Sequence, residues 1–118
     1  LELNTGKHHI YLLGWIGDNG DPDNFLNKYH SNKATIDNAK NRAFFINEHV
    51  DELLSVALET YDNEKRADYY KKVQEIVHEA AGWVNLFHVN QNVVFRKNIK
   101  GFNLSPLSSL YFYPIWME

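Results

Sequence analysis

The chain has 118 residues, of which 44 % are hydrophobic and 23 % charged, a size and balance typical of one globular domain. Its net charge of −3, without any cluster of Lys and Arg, argues against nucleic-acid binding, because such proteins present a basic face. The absence of cysteine excludes disulfides, thiolate metal sites and cysteine nucleophiles.

The first predicted element is the apolar stretch "HIYLLGWI" (His9–Ile16), which we interpret as a buried strand. A polar loop, Gly17–Asp21, follows it. Asp21 and Pro22 then predict a helix start, with Asp as the N-cap and Pro at the first helical position. This short helix is expected to end near Ser31.

A helix hairpin is predicted after a polar loop over residues 31–46. Asn47 is the expected cap of its first helix, and Asp62-Asn63 separates that helix from a second one, from about Glu64 to Ala80. The apolar residues recur at helical spacing: Val50, Leu53, Leu54, Ala57, Leu58 and Tyr61, then Ala67, Tyr70, Val73, Ile76, Val77, Ala80 and Ala81. Gly82 stands where a helix end commonly uses a left-handed residue.

The period changes after Gly82, where two β-like stretches are expected at Trp83–Val89 and Val93–Ile99. The last residues, 101–118, are rich in apolar and aromatic side chains, and two prolines limit regular structure there. We expect such a tail to need a partner surface that buries it.

The loop acids Asp18, Asp21 and Asp23 are the first candidate site, because loops that follow strands often carry ligand contacts. Turn and cap chemistry is the alternative explanation for the cluster, and it accounts best for Asp21. Asp18 has no such local role, so its carboxylate is a candidate partner for a cationic ligand group. Trp15, three residues earlier, could form the floor of the same pocket.

Other site chemistry is not predicted. The EF-hand pattern fails whether the calcium loop is started at Asp18 or at Asp21. The six histidines show no metal-binding spacing. The chain also lacks a Gly-x-Ser-x-Gly motif and a phosphate-binding glycine loop. We therefore predict no metal, no cofactor and no catalytic residue, and a protein that is not an enzyme.

Several stretches together carry a family resemblance: "LLGWIGDNGDPDNFL", then "NEHVDELLSVALETYDNEKRADYYKKVQEIVHEAAGWVNLF", then "VVFRKNIKGFNLSP" and "YFYPIW". In this order they resemble the C-terminal part of the family 5 extracellular solute-binding proteins, the dipeptide, oligopeptide and nickel receptors of ABC importers. The stretch "GDNGDPDNF" is most similar to the dipeptide-binding branch. Ala81-Gly82-Trp83 departs from the Ala-Pro that the family usually has, and residues 31–46 have no assigned counterpart.

The resemblance implies an α/β fold, the C-terminal part of a two-lobed, periplasmic-binding-protein-like (type II) receptor. We expect a fragment of a longer protein, with a strand, a loop, a short helix, a helix hairpin and terminal β-strands. Residues 1–87 would end the C-terminal ligand-binding lobe, and residues 88–118 would cross back to the N-terminal lobe.

The implied function is capture of di- or oligopeptides outside the cytoplasmic membrane, in the periplasm or on a cell-surface lipoprotein, and delivery to the ABC permease. Asp18 matches the acid that pairs with the ligand's α-amino group, and Trp15 matches a tryptophan beside the ligand. The basic partner of the ligand carboxylate is not identified. The alternatives are a receptor for a nickel chelate or another small solute, and a non-transport helix-hairpin interaction domain. The apolar tail also predicts that the fragment self-associates.

Overall fold

The structure is a computed structural model that describes residues 2–107 and 110–118, and it is mainly helical. Its helices are α1 (Pro22–Leu26), α2 (Glu48–Glu59) and α3 (Asn63–Glu79), and its strands are β1 (Ile99–Lys100) and β2 (Trp116–Met117). Short 3-10 turns occupy Glu2–Asn4, Asn27–Tyr29 and Ser31–Lys33.

The predicted helix hairpin is present, with its predicted caps. Asn47 Oδ1 accepts from the N–H of Val50 at 3.1 Å, which fixes the start of α2. Asp62 accepts from two backbone N–H groups of the first turn of α3, at 3.0 and 3.2 Å. Five residues of the predicted apolar stripes are exposed instead: Leu58 and Ala67 within the helices, and Tyr61, Ala80 and Ala81 beyond the helix ends.

The hydrophobic core lies where α1 and the following turn pack against α2 and α3. It consists of Leu26, Tyr29, Val50, Leu53, Leu54, Ala57, Tyr70, Val73 and Val77, with Phe45, Tyr69, Ile76 and Trp83 packed at its margin. Seven of these nine buried residues belong to the two predicted helical stripes, because helical spacing places them on one side of each helix.

The predicted loop over residues 31–46 is held to the core by a buried asparagine, Asn41. Its Nδ2 donates to the carbonyls of Tyr29 and Phe45, at 3.2 and 2.7 Å. Its Oδ1 accepts from the N–H of Phe45 at 3.2 Å. The side chain therefore satisfies backbone groups that the segment's irregular path leaves unpaired.

The predicted strand at His9–Ile16 is wrong. The segment forms no regular element and pairs with no strand among the described residues, and Ile10 and Leu12 are 90 % and 78 % exposed. Trp83–Val89 likewise forms no strand, and in the second β-like stretch only Ile99 does. An apolar β-prone sequence becomes a strand only when a neighbouring backbone supplies the ladder hydrogen bonds.

The terminal strand pair is short and antiparallel, with Ile99 opposite Met117 and Lys100 opposite Trp116. A salt bridge of 3.2 Å joins Lys100 to Glu118 beside it. The predicted terminal strands are thus reduced to two residues each, and they pair with one another within the tail.

The end of α3 differs from the predicted glycine cap. Ala81, with φ of 51°, is the left-handed residue, whereas Gly82 has no positive φ. Gly82 is instead close to the ring of Phe45, since a Cβ at this position would lie 3.0 Å from Phe45 Cδ2. Close packing therefore explains the glycine better than backbone conformation does.

Much apolar surface is exposed outside the helical core. The accessible surface is 9478 Å², whereas a folded monomer of 13.8 kDa is expected to expose about 6,600 Å². The radius of gyration, 18.2 Å, likewise exceeds the roughly 13.5 Å expected for this length. The exposed apolar side chains concentrate in the extended segments: Ile10, Leu12, Ile16, Val84, Leu86, Phe87, Val89, Val94, Tyr111, Phe112, Tyr113 and Met117.

Candidate ligand-binding site

Of the two predicted site residues, Trp15 lies within residues 9–16 and Asp18 lies in the loop that joins this segment to α1. Both residues are exposed, Trp15 to 49 %. Gly17 between them is buried, and a Cβ there would lie 2.5 Å from Phe25 Cε2. A side chain at this position would therefore force the Phe25 ring to move away from the loop.

One side chain of α1, Asn24, contacts both predicted site residues. Its Oδ1 accepts from the indole N–H of Trp15 and from the backbone N–H of Asp18, each at 3.3 Å. The structure thus brings Trp15 and Asp18 onto the same acceptor atom. The role of both residues in ligand binding stays a prediction.

Asp21 caps α1, as predicted, and also forms an ion pair that the sequence did not indicate. Its carboxylate accepts from the N–H of Asp23 at 2.8 Å. Arg66 of α3 donates to both carboxylate oxygens, at 2.9 and 2.8 Å. The hydrogen bond from Arg66 is the main reason that the pKa of Asp21 is lowered, with the Asp23 N–H adding to it.

Arg66 joins all three helices. Its Nε donates to the carbonyl of Ala57 near the end of α2 at 3.1 Å, and its Nη2 donates to the hydroxyl of Tyr70 at 2.9 Å. Burial raises the pKa of Tyr70, which remains a neutral partner at pH 7. No sequence signal pointed to Arg66, since it meets Asp21 across 45 residues.

Lys28 is a cation beside Trp15 that the sequence analysis missed. Its Nζ lies 5.4 Å from the ring centroid of Trp15, 5.9 Å from that of Tyr29 and 5.5 Å from that of Trp83. Burial against these rings lowers the pKa of Lys28. Within the part of the chain that the structure describes, no carboxylate oxygen lies within 4.0 Å of it.

A concave surface separate from this loop lies between residues 8–13 and 81–86 and has a volume of about 1090 Å³. We call it the aromatic groove. The His8 and Tyr11 rings on it meet edge-to-face with centroids 4.9 Å apart, and Tyr11 meets Trp83 similarly at 6.0 Å. The buried atoms His8 Nδ1, Tyr11 Oη and Trp83 Nε1 have no hydrogen-bond partner among the described residues. Neither Trp15 nor Asp18 lines this groove.

No three His, Asp or Glu side chains among residues 2–107 and 110–118 gather as metal ligands would. Over the same residues, no helix has the length and apolar character needed to cross a membrane.

Comparison with known proteins gives a consistent picture, although no family model matches the chain. Di/tripeptide-binding protein 2 of Pseudomonas aeruginosa is 38 % identical over 89 % of the chain, and the dipeptide-binding protein of Escherichia coli is 32 % identical over 96 %. Heme-binding protein A of Haemophilus influenzae is 38 % identical over 91 % of the chain.

A solved structure agrees with these relatives. HbpA2 from Haemophilus parasuis superposes with a TM-score of 0.64 and 26 % identity, over 90 % of this chain and 20 % of its own. The chain spans about a fifth of the length of the curated relatives it matches: 20 % for the Pseudomonas protein, 21 % for the Escherichia protein and 19 % for heme-binding protein A.

Proposed function

The chain belongs to the family 5 extracellular solute-binding proteins, and from this we propose that it is part of a receptor that captures di- or oligopeptides for an ABC importer. The whole receptor would act outside the cytoplasmic membrane, deliver its peptide to the permease subunits and catalyse no reaction. The relatives that support this proposal are named as binding proteins.

The carboxylate of Asp18 is the observation that carries the proposal. It is exposed near the start of the loop, and no cation among the described residues lies within ion-pair distance of it. A free peptide has an ammonium group at one end, and a carboxylate facing it forms a charge-assisted hydrogen bond. Exclusion of water when a receptor closes strengthens this attraction, because the local dielectric constant falls. Trp15 beside it would contact the first residue of the peptide.

The exposed apolar segments support a role within a larger receptor. Residues 1–87 would end the C-terminal lobe and residues 88–118 would cross to the N-terminal lobe, so that the rest of the receptor covers their apolar side chains. Exposed apolar surface of this extent is expected where a partner surface packs. Association of the isolated chain with itself is the alternative way to cover it.

A haem receptor is the second candidate. Heme-binding protein A is as similar to this chain as the di/tripeptide-binding proteins are, at 38 % identity. The aromatic groove carries His8, whose buried Nδ1 has no hydrogen-bond partner within residues 2–107 and 110–118, and histidine is a common haem ligand. In this case the groove, and not Asp18, would hold the ligand.

Calorimetric titration of the full-length protein that contains this chain tests the proposal. The probes are the dipeptide Ala-Phe, penta-alanine, haemin and a nickel–histidine chelate. We expect a peptide to bind and Asp18→Asn to weaken it at least ~30-fold, since truncating one partner of a desolvated charge pair costs about 2–5 kcal/mol. Asp68→Asn, on the exposed side of α3, removes the same charge and should change nothing.

Two outcomes would count against the proposal. Unchanged dipeptide affinity in Asp18→Asn would refute the role of Asp18. Binding of haemin alone, lost in His8→Ala and retained in Asp18→Asn, would favour the second candidate.

A further inference from the structure

We propose that Asn24 is a positioning residue of the peptide-ammonium site, holding Trp15 and Asp18 in the arrangement that receives the ligand. This inference rests on the proposed function and extends it to a residue that would not touch the peptide. Asn24 would thereby determine how well the exposed loop is ordered before a peptide binds.

The contacts of Asn24 are specific to the two site residues. A single atom, Oδ1, accepts from the Trp15 indole and from the Asp18 backbone N–H, both at 3.3 Å. The indole is otherwise half exposed, and the carboxylate of Asp18 makes no ion pair within the described residues. This oxygen therefore ties the Trp15 indole N–H and the Asp18 backbone to one point of α1, while Lys28 lies over the face of the Trp15 ring.

The helix that carries Asn24 is anchored to α3 through its N-cap residue. α1 has only five residues, too few to be stable alone. Arg66 anchors its N-cap residue, Asp21, through two hydrogen bonds. Phe25, the next residue along α1, packs on Gly17 of the same loop. Asn24 thus links the exposed loop to an element that is anchored to the helix hairpin.

Loss of the Oδ1 acceptor would release two site residues at once. A receptor with a mobile loop must order it when the peptide binds, and this ordering reduces the affinity. We expect Asn24→Ala to weaken Ala-Phe binding by about 10-fold, the size expected when two side chains must be immobilised on binding.

The experiment is calorimetry on the full-length protein with Ala-Phe as the probe. Asn24→Asp keeps an acceptor oxygen at the same place and should bind within about 3-fold of wild type. Asn24→Gln keeps the amide but moves it by one methylene, so it should weaken binding as Asn24→Ala does. Asn27→Ala is the matched control, since among the described residues the Asn27 side chain donates only to Asp23, at 3.3 and 3.2 Å.

A double-mutant cycle separates positioning from general structural damage. If Asn24 orders both Asp18 and Trp15, Asn24→Ala should cost about 3-fold in an Asp18→Asn background, because only the ordering of Trp15 still contributes to binding there. Equal losses in both backgrounds would overturn the inference, as would wild-type affinity in Asn24→Gln. If Asp18→Asn weakens Ala-Phe binding and Asn24→Ala does not, this inference is wrong while the proposed function stands. If Asp18→Asn leaves the affinity unchanged, the proposed function is wrong as well.

Discussion

Asp21 has two roles, as the N-cap of α1 and as the partner of Arg66, and substitutions can separate them. Asp21→Ala removes both the bond to the Asp23 N–H and the ion pair. A cap contributes about 1 kcal/mol, and an ion pair between partly exposed side chains contributes up to about 1 kcal/mol. Asp21→Ala should therefore destabilise α1 by about 2 kcal/mol, and Asp21→Ser, which keeps a capping oxygen, by about 1 kcal/mol.

Native-state hydrogen exchange is the suitable assay, because it reports local opening of α1 inside a large protein. The N–H groups of Asn24 and Asn27, which donate to Asp21 and Asp23 carbonyls, are the probes. Exchange should be faster than in wild type by a factor of about 5 in Asp21→Ser and about 30 in Asp21→Ala. Wild-type exchange in Asp21→Ser would refute the contribution of the ion pair.

The acid dependence of the same pair gives a second readout. Because the folded pKa of Asp21 is lowered, its stabilisation is complete above the unfolded pKa of about 3.9 and is lost as the pH falls through the lowered folded pKa. The difference in the free energy of opening α1 between wild type and Asp21→Ser should therefore be constant at neutral pH and should shrink below about pH 4. A difference that does not change with acid would contradict the assignment.

Three further predictions concern the helical core and its connections, each measured by denaturant unfolding or by local exchange. Leu54→Ala should destabilise the hairpin by about 2–5 kcal/mol, because Leu54 is 1 % exposed, whereas Leu58→Ala, at 53 % exposure, should cost under ~1 kcal/mol. Asn41→Ala should cost about 2–4 kcal/mol, since it leaves the N–H and carbonyl of Phe45 without their partner. Ala81→Gly should stabilise by up to about 1 kcal/mol, because a positive φ of 51° strains alanine and not glycine; destabilisation would show that the Ala81 methyl group matters more.

The helix hairpin could be predicted because its determinants are local. Asn47 and Asp62 lie within three residues of the N–H groups that they cap. The buried residues of α2 and α3 follow from helical spacing, which needs no knowledge of the rest of the fold. The same reasoning failed at Tyr61, since spacing continues past the point at which the helix ends.

The strands and the site partners could not be predicted because they depend on distant parts of the chain. His9–Ile16 has a β-prone sequence, but pairing decides whether it becomes a strand. Arg66 reaches Asp21 across 45 residues, and Asn41 reaches Tyr29 across 12, without any pattern that marks either pair. Asn24 is closer in sequence, yet an asparagine at a turn or in the first turn of a helix has too many local uses to single it out.

The central claim is that Asp18 receives the ammonium group of a peptide, and a ligand–protein cycle tests it most directly. Ala-Phe and N-acetyl-Ala-Phe, which lacks the ammonium charge, are titrated into the full-length protein and into its Asp18→Asn variant. We predict that acetylation weakens binding to the wild type at least ~30-fold and changes binding to Asp18→Asn by less than about 3-fold. An equal loss on acetylation in both proteins would show that the ammonium group binds elsewhere, and would contradict the claim.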